Sequence, residues 1–271
     1  MNYWEKVFGV EVFKVAYYTR WIIYKLFNLK LPKFRDQRKY WEGRAETYMQ
    51  EFLNSGYSDR EGFFQNLLID QLREMDFDSC FEAGCGFGWN VKRVKEVFPD
   101  KKVYGLDFSI TQLRQLKPYI AKARIPVVNG DNCYLPLKDN AIDVGLSIGV
   151  FMSIHPNRIE LALKEMIRVC RKYIIHLEWD ENHATSSLRE QRTIKRNIVS
   201  YDYVKKYEAL GRKVFKFATY KDFGEEYEKH LQGITTNVDR WEGYEGPSKY
   251  ILIVIKVQTL KYIQAKIACT S

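Results

Sequence analysis

Three glycines at alternate positions, Gly84, Gly86 and Gly88, follow the acid Glu82 where an apolar, strand-like run passes into a helix-like one. Glycine lets a backbone turn sharply and approach a ligand where any Cβ would collide, and a helix starting near residue 90 would aim its free N–H groups at the same spot. That chemistry suits a nucleotide-like cofactor. A second acid, Asp107, stands 25 residues beyond Glu82, the spacing at which an ionised acceptor can take both hydroxyls of a ribose. Asp131 and Asn132 follow Gly130 and read either as a contact to a ring edge or as a turn-forming triplet. Two residues could move protons. His155 carries an imidazole that could serve as a general base, or it is a helix-start neighbour placed before Pro156. Glu178 opens a run with Trp179, Asp180 and Glu181 and reads either as a base or as a loop acid favoured by a following helix.

The glycine spacing decides between cofactors. A dinucleotide fingerprint needs G-x-G-x-x-G, whereas Trp89 occupies the place of the last glycine and the run is Glu82-x-Gly84-x-Gly86-x-Gly88. This resembles the acidic-x-G-x-G-x-G motif at the end of the first strand in class I S-adenosylmethionine (SAM) dependent methyltransferases. The resemblance continues through Asp107 with Phe108, through Asp131, and through the Leu135-Pro136 loop to Asp143, and it extends over about residues 40–257. It implies a doubly wound α/β fold with a mostly parallel seven-stranded sheet, helices on both faces and a last strand inserted antiparallel between the fifth and sixth. SAM would be the cofactor. Glu82 would support the glycine loop and the cationic amine, with Gly84, Gly86, Phe87 and Gly88 forming the loop. Asp107 would take the ribose, Phe108 would pack on adenine, and Asp131 with Asn132 would meet the adenine edge. Ser147 and Ile148 would line the rim beneath the methyl group. Tyr40, in a Tyr-Trp-x-x-Arg-Ala segment, would lie over the cofactor as part of a lid, or would simply pack a helix on the core.

These residues need a scaffold that brings strand ends together. From Ser79 onward, β-like and helix-like segments alternate, the pattern of a parallel sheet. The expected strands are 79–83, 102–106, 125–129, 142–147, 172–178, 211–217 and 249–257, and the expected helices are 60–75, 90–98, 109–122, 157–169 and a long one within 186–210. Ligands in such folds bind at the carboxyl ends of the strands, where all the candidate residues fall.

Composition narrows the function. The chain has 271 residues, 46% hydrophobic and 28% charged, an ordinary globular balance. Five cysteines show no paired spacing, which speaks against a disulfide framework, and four histidines at scattered positions predict no metal site. The net charge is +9. Residues 1–44 hold ten Lys/Arg against four Asp/Glu, and residues 182–222 hold the same numbers. Each patch is either a solvated basic surface or a seat for an anionic partner.

The chain divides into three parts. Residues 1–39 form a basic extension whose stretch 7–31 has a wide apolar and aromatic arc at helical period. It is too short in apolar runs to span a bilayer and reads as a docked helix, a helix lying in an anionic membrane surface, or a partner-binding helix. Residues 40–258 are the expected methyltransferase domain, and 259–271 a short basic amphipathic tail. The basic stretch 185–196 is expected near the mouth.

The family resemblance implies methyl transfer, and an oxygen or nitrogen of a small-molecule, lipid or glycan is the expected acceptor. The cysteine usage points to a cytoplasmic protein, and residues 7–31 leave open peripheral contact with the inner face of an anionic membrane. Nucleobase methylation is disfavoured, because Ser147-Ile-Gly-Val replaces the Asp/Asn-Pro-Pro-aromatic motif and no Pro-Cys nucleophile follows the fourth strand. RNA backbone or ribose methylation, a non-catalytic SAM-binding module and, further off, a NAD-dependent oxidoreductase are the other readings.

Overall fold

The computed structural model describes residues 6–7, 10–11, 19, 22–23, 26–27, 37–54, 57–180, 182, 199–219, 221–225 and 251–257. Seven strands make one sheet: β1 Ser79–Ala83, β2 Lys102–Asp107, β3 Val127–Asn129, β4 Ile142–Ile148, β5 Cys170–Glu178, β6 Val214–Ala218 and β7 Ile251–Lys256. Their spatial order is β3-β2-β1-β4-β5-β7-β6. The first five pair in parallel, and β7 runs antiparallel to both β5 and β6. This is the doubly wound arrangement that the motifs imply.

The helices are α1 Gln37–Asn54, α2 Tyr57–Arg73, α3 Trp89–Val97, α4 Ile110–Tyr119, α5 Ile159–Val169 and α6 Tyr203–Ala209. A sheet covered on both faces needs strands apolar on both sides, and every residue of β1 is buried. Alternation along β5 sorts the two layers. Ile175 and Leu177 face a core shared with Leu68 and Leu72 of α2, Val91 and Val94 of α3, and Leu113 and Leu116 of α4. Ile174 faces the other core, with Leu163 and Met166 of α5 and Tyr203 and Tyr207 of α6. Register then sets the working edge. Glu82 lies opposite Gly105 and Ala83 opposite Leu106, so the turn after β1 stands beside Asp107 at the end of β2. Asp107 is paired in turn with Asn129, and Ile148 with Leu177.

Two expected helices differ from the observed structure. Residues Lys6–Val7 pair antiparallel with Val10–Glu11, so the helix expected from residue 7 does not begin there, although residues 19, 22, 23, 26 and 27 are helical. The β-branched Val7 and Val10, separated by Phe8 and Gly9, favour strand pairing over helix. The long helix within 186–210 is also not continuous. Tyr201 bridges Asp180, and Asp202 caps α6 by accepting from Lys205 N at 2.9 Å, so the helix starts only at Tyr203. Residues 186–198 of that expected helix, the basic stretch 185–196 and the tail 259–271 lie outside the described residues.

Candidate functional site

The glycine turn is built by its own backbone. Gly84 and Gly86 have φ of +88° and +52°, in the left-handed region that favours glycine. Gly84 N and Cys85 N donate to Leu106 O at 2.7 and 2.9 Å, tying the turn to β2. A Cβ at Gly84 would lie 2.5 Å from Val150 Cγ1, whereas one at Gly86 would meet no heavy atom within 4 Å. The first glycine therefore lets the loop after β4 come close, and the second leaves open space above the turn.

Asp107 links the turn to the next helix. Its carboxylate accepts from Gly86 N at 2.9 Å through Oδ2 and from Ser109 N at 2.8 Å through Oδ1. Burial to 6% exposure raises its pKa, against which those two backbone donors act. Ser109 in turn caps α4, its hydroxyl accepting from Gln112 N at 3.1 Å. Phe108 is half-buried beside it.

Glu82 sits beneath the turn, 2% exposed. Its Oε1 accepts from Asn90 Nδ2 at 2.8 Å, and its Oε2 has no hydrogen-bond partner among the described residues. Burial, only partly offset by the Asn90 bond and reinforced by Asp107, raises its pKa to about 7. A buried carboxyl of this kind favours a cation placed against it. The sign of its effect on stability follows directly. Because the folded pKa is above the unfolded one, its contribution is fully present below about 4.5 and is lost as pH rises through about 7. Between those values wild type is expected to lose of order 2–3 kcal/mol that Glu82→Gln does not lose. Urea unfolding of both proteins at pH 5 and pH 8 checks this, and equal pH dependence in the two would contradict the assignment.

At the end of β3, Asp131 accepts from Cys133 N at 2.9 Å and from Arg158 Nη2 at 2.8 Å. Partial burial would raise its pKa, but those donors and the Arg158 charge outweigh it and leave the pKa lowered. The side-chain oxygen of Asn132 is buried with no partner among the described residues. On the opposite side, α1 lays an aromatic row against the turn. Tyr40 meets Trp41 and Trp41 meets Tyr48 at ring-centroid separations of 5.3 Å. Phe87 is 3% exposed and packs its ring against Phe52 at 5.3 Å and Tyr119 at 5.5 Å, which turns the ring into this layer.

The loop after β4 is organised by Glu178. This fully buried carboxylate accepts from the Ser147 hydroxyl, from Val150 N at 3.0 Å, from Phe151 N at 2.9 Å and from Met152 N at 3.2 Å. Burial raises its pKa despite those donors. Ser147 is likewise turned inward, and Ile148, half-buried, begins the rim. His155 lies farther along the same loop, partly exposed, with Nδ1 against Asn157 Oδ1. The structure thus gathers the glycine turn, Asp107, Phe108, Asp131, Asn132 and Ile148 along one sheet edge. It places Glu178 as the anchor behind the rim, and His155 on the rim.

Four contributors escaped the sequence reading. Asn90 holds Glu82, Arg158 holds Asp131, and Glu42 and Arg38 of α1 reach the β2–α4 junction. Asn90 alone had a local signal, two residues past the last glycine. The others act across 27 to 70 residues, where no periodicity reports the contact.

Such a sheet, with an acid and three glycines at its first strand end and acids at the next two, is the fold of the class I methyltransferases. Residues 81–173 match the family model described as a methyltransferase domain. Demethylmenaquinone methyltransferase of Geobacillus stearothermophilus is 32% identical over 110 residues, which cover 38% of this chain and 46% of that protein. The match thus spans about half the length of this relative. Among solved structures, geranyl diphosphate C-methyltransferase of Streptomyces coelicolor A3(2) superposes with a TM-score of 0.59 at 16% identity, covering 73% of this chain and 79% of that one. A possible histamine N-methyltransferase of Thermotoga maritima gives 0.55 at 17% identity, covering 82% and 99%. The chain carries a class I SAM-dependent methyltransferase domain, and S-adenosylmethionine is its cofactor. The residues fit that group. The open space at Gly86 admits a ligand, the unpartnered Glu82 oxygen suits a cationic amine, and Asp107 and Asn132 offer acceptors for ribose and adenine donors.

Proposed function

We propose that the protein transfers a methyl group to an oxygen or nitrogen of a small-molecule or lipid acceptor. The observation that carries this is the meeting of the glycine turn and the Glu178-anchored loop, with Val150 against Gly84, at the edge where the cofactor residues converge. When bound, SAM supplies an electrophilic methyl and its own leaving group, so the protein contributes alignment and exclusion of water. Gly84, Gly86 and Asp107 hold the donor side. Ile148 and Val150 present an apolar, half-buried rim to the acceptor, and Glu178 fixes that rim from behind. His155, on the rim, would be placed to take the proton that the acceptor sheds, unless solvent takes it. The named substrates of the relatives, geranyl diphosphate and demethylmenaquinone, support an acceptor with lipid character but not the atom methylated, since the first enzyme is a C-methyltransferase.

The same reading includes contact with an anionic membrane surface. Among the described residues no helix is long and apolar enough to cross a bilayer. Ile22, Leu26 and Phe27 are nevertheless 47%, 70% and 66% exposed on a helical segment, within a region that carries ten Lys/Arg against four Asp/Glu. Apolar anchors beside a cationic surplus suit an interfacial helix. Leu26→Glu with Phe27→Glu is expected to weaken sedimentation with phosphatidylglycerol vesicles by about tenfold or more. Equal binding by the variant would remove this contact.

The acceptor class is tested by transfer of labelled methyl from SAM into fractionated extract, with Asp107→Ala as control. Label in the organic-soluble or small-molecule pool, lost in the variant, is the expected result. Label in nucleic acid would overturn the acceptor, and no label despite measured SAM binding would overturn the enzymatic reading.

A further inference from the structure

The α1 helix, which the resemblance casts as a lid, is fastened at a chemically specific place. Glu42 spreads its carboxylate over the start of α4, accepting from Ile110 N at 2.7 Å through Oε1 and from Thr111 N at 3.2 Å through Oε2. One turn earlier in α1, Arg38 Nε donates to Phe108 O at 3.2 Å. The first turn of a helix has N–H groups without intrahelical acceptors and the positive end of the dipole, so an ionised carboxylate from another element is a strong partner for it. The two α1 side chains therefore grip Phe108 and the first residues of α4, directly after Asp107, whose carboxylate ties down Gly86.

We propose that Glu42 is a positioning residue for the cofactor, holding α1 over the site by gripping the β2–α4 junction, so that seating of α1 and binding of SAM reinforce each other. The proposal rests on the SAM-binding reading above. Coupling of this kind is reciprocal: whatever α1 seating adds to cofactor affinity, the bound cofactor returns as protection of α1. Burial, reinforced by the Glu42 charge, raises the Asp107 pKa, and each of the two carboxylates has its own backbone donors.

The test uses the full chain and S-adenosylhomocysteine as probe, with two readouts. Titration calorimetry is expected to show affinity lowered about tenfold in Glu42→Ala and less in Glu42→Gln, which keeps one acceptor oxygen. Amide hydrogen exchange is expected to show probe-induced protection of residues 37–54 in wild type and its loss in Glu42→Ala. Glu46→Gln, an exposed acid of the same helix, should match wild type in both. Unchanged affinity in Glu42→Ala, or weakened affinity with the protection of α1 retained, overturns the proposal, since the second pattern means a merely structural role. Wild type that fails to bind the probe overturns the cofactor reading and this proposal with it.

Discussion

Asp107→Ala is expected to lower affinity for SAM and S-adenosylhomocysteine by two to three orders of magnitude, with methyl transfer lost in parallel. Two effects add. The carboxylate is the acceptor for Gly86 N and Ser109 N, so its removal leaves two inward-facing donors unmatched and unties the glycine turn from β2. Each such loss is worth about 1–3 kcal/mol. The same carboxylate is the ionised acceptor offered to the ribose hydroxyls. Asp107→Asn separates the two, since its one oxygen can keep a single tether while the charge is gone, and a loss of about tenfold is expected of it. Calorimetric titration of both variants is the measurement, and binding within about threefold of wild type in Asp107→Ala would place the ribose elsewhere.

Glu178→Ala is expected to be the more damaging change to the fold, by about 4 kcal/mol. Four donors converge on this carboxylate, one hydroxyl and three successive backbone N–H groups. Alanine leaves all of them facing a core that includes Phe151 and Ile174, where no water replaces the lost acceptor. Glu178→Gln retains an acceptor oxygen and is expected to lose about half as much. Urea unfolding with an unchanged m-value tests the pair. A cost below about 1 kcal/mol for alanine would mean that the loop after β4 finds other partners, and would remove Glu178 from its anchoring place.

Much of this architecture was legible because its signals are local. The strands from β1 to β5 carry apolar runs bounded by glycine and acidic residues, and the acid-glycine run at 82–88 specifies both a backbone turn and a ligand chemistry. The neighbours of each candidate residue were not legible. Glu178 reads as one acid of three after a strand, and only the packing of the loop after β4 against β5 shows its four donors. Glu42 reads as a solvent-facing acid on a helix until α1 is seated on α4. The N-terminal stretch misled for another reason. Its aromatic and β-branched residues satisfy a helical period, but Val7 and Val10 satisfy a hairpin as well, and short segments leave the two periods unresolved.

The placement of β7 has a consequence for the order in which the chain can assemble. The strand that completes the sheet is the last of the seven in sequence, yet it lies inside the sheet, between β5 and β6. All the strand ends that cradle the cofactor belong to β1 through β4, with β5 behind them, so during synthesis the site's residues emerge long before the sheet can close. In that interval β6 has no sheet neighbour to pair with, and Phe215 and Phe217, 60% and 37% exposed even in the finished fold, lie on a bare strand. The nascent protein thus passes through a stage in which its binding edge is encoded and its far edge is adhesive, and arrival of the final strand ends that hazard.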